Sequence, residues 1–166
     1  YTLTLSGPVN DGAQLQIFLD SAADENNNAM SSNVITSFTV QLPFTVSSTS
    51  PNSGYAAAST GLQISFNAVA NTSVSTNAAS VFNTNNYVLT GAGVSGVSVS
   101  SITGSGAGPY TVSFDSDFAD GVVNIAISNI ENVTGTKVSN YTVGFVADAT
   151  APSINISSPA SNTYQT

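Results

Sequence analysis

Apolar and polar residues alternate with a period of two along many short stretches of the chain, and no stretch sustains the 3.6-residue period of a helix. This alternation predicts β-strands with one buried face. Segments rich in Gly, Pro, Asn and Ser separate the strands and predict loops. The predicted strands are residues 1–6, 14–20, 34–40, 44–48, 61–68, 87–89, 94–102, 110–114, 123–127 and 141–145, with a bulge near Gly96.

About seven of these strands lie between residues 44 and 146, near the spacing of about 8–12 residues that is typical of a β-sandwich. A sandwich buries alternate residues of two facing sheets. We therefore predict an all-β antiparallel sandwich. Its expected core is Leu62, Ile64, Phe66, Tyr110, Val112, Phe114, Ile125, Ile127, Tyr141 and Val143.

One stretch of the chain occurs twice. YTVSFDSDFADG begins at Tyr110, and YTLTLSGPVNDG begins at Tyr1, an offset of 109 residues at which Tyr, Thr, Asp and Gly coincide. At the same offset, Pro152 and Tyr164 fall against Pro43 and Tyr55. Residues 1–57 therefore correspond to residues 110–166, and the chain carries about one and a half copies of one unit, as in a tandem array.

The repeat predicts three segments. Residues 1–42 would be the C-terminal half, with three strands, of one repeat, and residues 43–147 a complete sandwich. Residues 148–166 would be a linker and the first strand of a following repeat, or a donor strand. Because the partial segments cannot cover an apolar face alone, two arrangements stay open: a piece of a longer array, or a polymer in which neighbouring copies exchange strands.

Charge is scarce, at 6% of residues, and the net charge is −8, with Lys137 as the only cation. Nucleic acids and anionic membrane surfaces bind to clusters of Lys and Arg, so neither is an expected partner. No run approaches the roughly 18 apolar residues of a membrane span, so we expect no membrane insertion. Low charge combined with abundant Ser, Thr and Asn favours an extracellular or cell-surface location.

Several stretches carry a resemblance to a known family: GLQISFNAVANTSV with NYVLTG, YTVSFDSDFADGVVNIAISNIENVTGTKV, and DATAPSINISSPAS. They resemble the bacterial immunoglobulin-like domains that are repeated in surface-layer proteins, adhesins, extracellular filaments and multidomain secreted enzymes. The matching motifs are residues 66–69, 86–89, 118–125 and 148–152. The loop ENVTGTK departs from the family, which often has a Gly-Asn pair there.

The resemblance implies an immunoglobulin-like sandwich with a spacer, structural or adhesive role. It implies neighbouring copies or adjacent immunoglobulin-like domains as partners. It implies no chemistry and no required cofactor.

Acidic residues give the chain a candidate calcium site. Asp115, Asp117 and Asp120 lie within six residues, and Asp148 lies in the predicted linker. Carboxylate oxygens on tight turns are typical calcium ligands, although this spacing is not that of the helical calcium loop. The alternative is a solvated turn, with Asp120-Gly121 as a hairpin turn. The first copy keeps only Asp11.

Four Asn-x-Ser/Thr sequons occur, at Asn71, Asn132, Asn140 and Asn155. Each lies in or beside a predicted loop or strand end, as glycosylation requires. The amino-acid composition alone would generate several such motifs. They are therefore candidate glycosylation sites in a host that modifies this motif.

Catalysis is not expected. The sequence has no His, Cys or Arg, so it cannot build a catalytic triad, a thiol nucleophile or a guanidinium clamp. A carboxylate pair, as in glycosidases, is the remaining possibility, but no acid has an assigned apolar pocket. We predict a non-catalytic structural or adhesive module, with glycans as a further possible partner. The alternative is a carbohydrate-binding accessory module of a secreted enzyme, which would need exposed coplanar aromatic residues.

Overall fold

The computed structural model describes residue 2, residues 4–59 and residues 61–155, which form ten strands and two short 3₁₀ turns. The strands are β1 (Gln14–Leu19), β2 (Val34–Thr39), β3 (Val46–Ser50), β4 (Tyr55–Ala57), β5 (Leu62–Phe66), β6 (Tyr87–Thr90), β7 (Val99–Thr103), β8 (Tyr110–Phe114), β9 (Gly121–Ile127) and β10 (Tyr141–Asp148). The 3₁₀ turns span Thr84–Asn86 and Ala92–Val94. No helix in this part of the chain is long and apolar enough to cross a membrane.

Eight strands form a β-sandwich. One sheet has the strand order β3-β5-β8-β7 and the other has the order β4-β10-β9-β6. Neighbouring strands run antiparallel, except that β4 runs parallel to β10. The strands β1 and β2 form a separate two-stranded antiparallel sheet. The prediction of an all-β sandwich is confirmed, with one parallel pair at a sheet edge.

The core lies between the two four-stranded sheets and follows the period of two in the sequence. On β9, Val123, Ile125 and Ile127 are fully buried, whereas Val122 is exposed. Eight of the ten predicted core residues are buried. The other two, Phe114 and Tyr141, are partly buried and pack against the same core.

Two aromatic clusters contribute residues that periodicity did not identify. Phe44 packs on Phe66, with 5.0 Å between ring centroids. Phe118 packs edge-on against Phe114 at 4.7 Å and against Phe145 at 5.7 Å. Phe118 lies between strands, outside any alternating run, and Phe44, the first residue of the strand predicted at 44–48, lies before β3, which starts at Val46.

The predicted strands at the two ends of the chain are wrong where the structure describes them. Residues 2 and 4–6 are not in a strand. Neither are residues 153–155, which belong to the segment where the sequence predicts the first strand of a following repeat. The counterpart of residues 1–6 is β8, which is held between β5 and β7. Among the described strands, none lies beside residues 2 and 4–6 in the way that β5 and β7 lie beside β8, so the backbone of these residues has no ladder partner. The remaining residues of both predicted strands lie outside the described part.

The prediction of a hairpin turn at Asp120-Gly121 is wrong because β8 and β9 belong to different sheets. The segment between them is a crossover, and Gly121 begins β9 with a φ of +139°. A Cβ at this position would lie 3.1 Å from both Ala92 Cβ and the backbone nitrogen of Gly93. Glycine therefore permits the close approach of β9 to the second 3₁₀ turn.

The strand predicted at residues 94–102 begins later than expected. Ala92–Val94 form a 3₁₀ turn and β7 starts only at Val99. The predicted bulge appears as a register shift between Val99 and Ser101, not at Gly96. The short strand β4 was not predicted, since three residues are too few to show a period.

The alternating burial of β9 gives a stability prediction. Replacing Ile125→Ala leaves a cavity between the sheets and should lower the free energy of unfolding by about 2–5 kcal/mol. The matched control on the outer face of the same strand, Val122→Ala, should change it by about 0.5 kcal/mol or less. Urea denaturation followed by circular dichroism measures both values, and equal effects would contradict the assigned faces.

Candidate functional site

A polar junction centred on Asp11 joins the first segment to the sandwich. Asp11 Oδ1 accepts a hydrogen bond of 2.7 Å from the backbone N–H of Leu42. Its Oδ2 accepts bonds from Asn132 Nδ2 at 3.0 Å and from the Thr134 hydroxyl at 2.6 Å. One carboxylate thus holds both the linker after β2 and the loop between β9 and β10.

Asn132 shapes the loop that reaches Asp11. Its side-chain Oδ1 accepts the N–H groups of Thr134 at 3.1 Å and Thr136 at 2.8 Å, which closes an Asx-type turn. The residue is only 3% exposed, and it pairs with Ala70 in an isolated bridge. These bonds fix the amide, so its Nδ2 donors are held toward Asp11.

The chain is anchored again directly after the linker. The Asn67 side chain donates from Nδ2 to the Pro43 carbonyl and accepts the N–H of Thr45, both at 2.9 Å. Between these residues, Phe44 is buried, and its carbonyl accepts the N–H of Ser139 at 2.8 Å. The linker therefore has fixed contacts on both sides of Pro43.

The hydrogen bonds of the junction favour the ionised form of Asp11. The Thr134 hydroxyl, followed by the N–H of Leu42, holds the pKa of the Asp11 carboxyl below its ordinary value. A lowered folded-state pKa contributes stability above the unfolded pKa of about 3.9. That contribution is lost as the pH falls through the folded pKa.

Asp120 is the counterpart of Asp11 and makes the same kind of contact. Its Oδ1 accepts the N–H of Ala149 at 2.6 Å, and its Oδ2 accepts the Thr150 hydroxyl at 2.5 Å. The Thr150 hydroxyl is the main cause of the lowered pKa of Asp120, followed by the N–H of Ala149. In both copies, the repeated Asp therefore holds the linker that follows the last strand.

The two contacts are equivalent in register as well. Gly12 donates its N–H to the carbonyl of Val40, and Gly121 lies opposite Ala147 in the β9–β10 ladder. Asp11 binds the N–H of Leu42, two residues after Val40. Asp120 binds the N–H of Ala149, two residues after Ala147. The repeated Asp-Gly pair thus has a structural role that the sequence alignment did not reveal.

Three of the four candidate calcium ligands, Asp115, Asp120 and Asp148, accept hydrogen bonds from the protein. Asp115 Oδ1 accepts the N–H of Ser98 at 2.9 Å, which lowers the pKa of the carboxyl, and Asp148 Oδ1 accepts the N–H of Thr150 at 3.0 Å. Asp117 lines a shallow cleft beside Asp115. Within the described ranges, no group of three or more acidic residues is arranged to hold a metal ion. Calcium binding at Asp115, Asp117, Asp120 and Asp148 stays a prediction.

The four sequons differ in accessibility. Asn140 and Asn155 are exposed, whereas Asn71 is partly buried and accepts the N–H of Ser73 at 2.9 Å. Asn132 is buried, and its Nδ2, the atom that a glycan would modify, donates to Asp11. A glycan at Asn132 is therefore incompatible with the junction.

No family model matches the sequence, and no curated protein matches it. The chain is similar to solved structures of S-layer proteins: "Structure of surface layer protein SbsC, domains 1-6" and "Crystal structure of the N-terminal part of the bacterial S-layer protein SbsC". The sequence identity is 19% in both cases, and the TM-scores are 0.47 and 0.48. The matches cover 68% of this chain but only 14% and 25% of the S-layer chains.

The junction predicts that removal of the Asp11 carboxylate frees the linker. Asp11→Ala should speed hydrogen exchange of the Leu42 amide by about tenfold, because this N–H loses its acceptor. The control Asp24→Ala removes a carboxylate that accepts bonds from Asn26 and Asn28 within its own loop, and it should leave Leu42 unchanged. NMR exchange measurements test this, and unchanged protection in Asp11→Ala would contradict the assignment. The same loss should appear in the unaltered chain as the pH falls through the lowered folded-state pKa of Asp11, which lies below the unfolded value of about 3.9.

The burial of the sequons predicts a pattern of glycosylation. When the chain is secreted by a host that modifies Asn-x-Ser/Thr, the folded fraction should carry glycans at Asn140 and Asn155 and none at Asn132. Peptide mapping by mass spectrometry measures the occupancy, with Asn140→Gln as the control for site assignment. A glycan on Asn132 in folded protein would contradict the hydrogen bond to Asp11.

Proposed function

We propose that the chain is a non-catalytic structural or adhesive module, built of tandem immunoglobulin-like sandwiches, of an extracellular or cell-surface protein. The strand order carries this proposal. The sheet β3-β5-β8-β7 has the order A-B-E-D of an immunoglobulin domain, and β6-β9-β10 has the order C-F-G. The strand β4 adds a further, parallel strand beside the last strand, β10.

The repeated Asp-Gly pair supports a tandem arrangement. Asp11 and Asp120 bind the linkers after two equivalent strand pairs, and Asp11 also binds the loop of the adjacent sandwich. A contact of this kind fixes how one unit leads into the next. We infer that adjacent repeats are the main partners of the sandwich.

The use of the acids supports a non-catalytic role. Asp11, Asp115 and Asp120 accept backbone N–H groups, and their pKa values are lowered, so these carboxylates are ionised acceptors. A general acid needs the opposite shift, which an apolar environment provides. The sequence also contains no His or Cys.

The alternative, a carbohydrate-binding module, depends on aromatic residues that share one exposed face. The most exposed aromatic side chains of the described chain are those of Phe18, Phe38 and Tyr55. Phe18 and Phe38 lie on opposite faces of the β1–β2 sheet, since Phe18 lies opposite Ile35 and Phe38 lies opposite Leu15. Tyr55 belongs to another sheet. This distribution supports the structural role over the sugar-binding role.

Immunolabelling tests the proposed location. Antibodies raised against the sandwich should label intact cells of the source organism, with a cytosolic protein as the negative control that is labelled only after permeabilisation. Labelling confined to permeabilised cells would contradict the proposal. In parallel, a glycan array should show no specific binding, and saturable binding to one glycan class would favour the alternative.

A further inference from the structure

One face of the β1–β2 sheet is apolar and has no facing sheet among the described strands, although Leu5 lies beside it. Leu15, Ile17 and Leu19 lie on it from β1, and Val34, Thr36 and Phe38 lie opposite them from β2. Ile17, Leu19, Val34 and Phe38 are each between 37% and 50% exposed. An isolated two-stranded sheet is marginal in water, so such a face needs a cover.

A bulge just before β1 determines which face of β9 corresponds to this apolar face. Gly12 and Ala13 both lie opposite Val40: Gly12 N–H donates to Val40 O at 2.8 Å, and Val40 N–H donates to Ala13 O at 2.9 Å. With Gly12 at a φ of +78°, this is a G1 bulge, which adds one residue to the strand. The β9–β10 ladder runs from Gly121 without such a shift.

The extra residue changes the offset between the copies from 109 to 108 after the bulge. Leu15, Ile17 and Leu19 then match Val123, Ile125 and Ile127. The cross-strand pairs of the two copies agree at this offset. The pair Leu15–Phe38 corresponds to Val123–Phe145, the pair Ile17–Thr36 to Ile125–Val143, and the pair Leu19–Val34 to Ile127–Tyr141. A match at 109 would instead align the apolar residues of β1 with the outer face of β9.

In the complete sandwich, the face that matches is interior. Val123, Ile125, Ile127, Val143 and Phe145 are all buried against the β3-β5-β8-β7 sheet. The edge of β9 that does not pair with β10 pairs with β6, in which Leu89 lies opposite Ile125 and Tyr87 lies opposite Ile127. The apolar face of β1–β2 therefore has the composition and register of the inner face of a second sandwich.

We propose that β1 and β2 are the last two strands of a second sandwich, whose other half is a segment equivalent to residues 43–109. This inference rests on the tandem architecture of the proposed function and names the partner. The segment would cover the apolar face with counterparts of β3, β5 and β7, and a counterpart of β6 would pair with the edge of β1. In the complete repeat, residues 43–109 precede the residues that match 1–42, so the order of the repeat would place this segment on the N-terminal side of residues 1–42 in the same polypeptide.

Strand exchange with a second copy of the chain does not supply this cover. Its β3-β5-β8-β7 sheet is already occupied by its own β4-β10-β9-β6 sheet. Residues 152–166 match residues 43–57, which contain only β3 and β4, so the counterparts of β5, β6 and β7 have no source in strand exchange. A covalently preceding segment provides all of them.

The test extends the full chain by placing a second copy of residues 43–109 directly before Tyr1. Hydrogen exchange of the β1 and β2 amides should slow by at least about 100-fold relative to the original chain, because the new segment closes a cooperative core. The amides of β9 show that the existing sandwich is folded in each sample. Unchanged exchange in β1 and β2 beside a protected β9 would overturn the proposal.

Two matched substitutions in the extended chain test the register. Ile17→Asp should abolish the added protection, because residue 17 faces the new core, and Phe18→Asp on the opposite face should retain it. Equal effects would overturn the assigned face. Protection of β1–β2 in the original chain that rises with protein concentration would also overturn the proposal, since it would show that a second copy is the cover. None of these results changes the outcome of the immunolabelling experiment. Failure of this proposal can therefore be distinguished from failure of the proposed function.

Discussion

Burial of one sheet face against another is the interaction on which the rest of the structure depends. Each fully buried aliphatic side chain contributes about 1.5–3 kcal/mol relative to an exposed one. The sandwich places at least three such residues on β9 alone, at Val123, Ile125 and Ile127. The β1–β2 sheet has a similar apolar pattern but no facing sheet among the described strands, and the contrast shows that pairing of faces, not strand pairing alone, makes the core.

With so few charges, the loops are held by side-chain amides. Asn86 is buried and donates from Nδ2 to the carbonyls of Ala78 and Ser80, both at 2.9 Å. Asn132 and Asn67 organise the junction in the same way. Buried polar groups must be hydrogen-bonded, and an uncharged amide can both donate and accept without the desolvation cost of an ion. The abundance of Asn is therefore part of the architecture of the loops.

Periodicity predicted most of the sandwich because a strand with one buried face has apolar residues at alternate positions of the sequence. It could not predict β4, which is too short, or Phe118, which enters the core from a crossover. The junction was beyond reach for another reason, since Asp11 and Asn132 are 121 residues apart and meet only through the fold. The repeat did align Asp11 with Asp120, but alignment alone could not distinguish a linker contact from a calcium ligand.

The parallel pair β4–β10 has a mechanical consequence. The chain enters the sandwich near β3 and β4 and leaves it at the end of β10, and Tyr55, Ala56 and Ala57 pair in register with Val146, Ala147 and Asp148. A pull on the two ends of the sandwich runs along both strands in opposite directions. It loads these hydrogen bonds in shear, so they must break together, whereas an antiparallel terminal pair would unzip one bond at a time. This edge is therefore the part of the sandwich that would bear tension along an array.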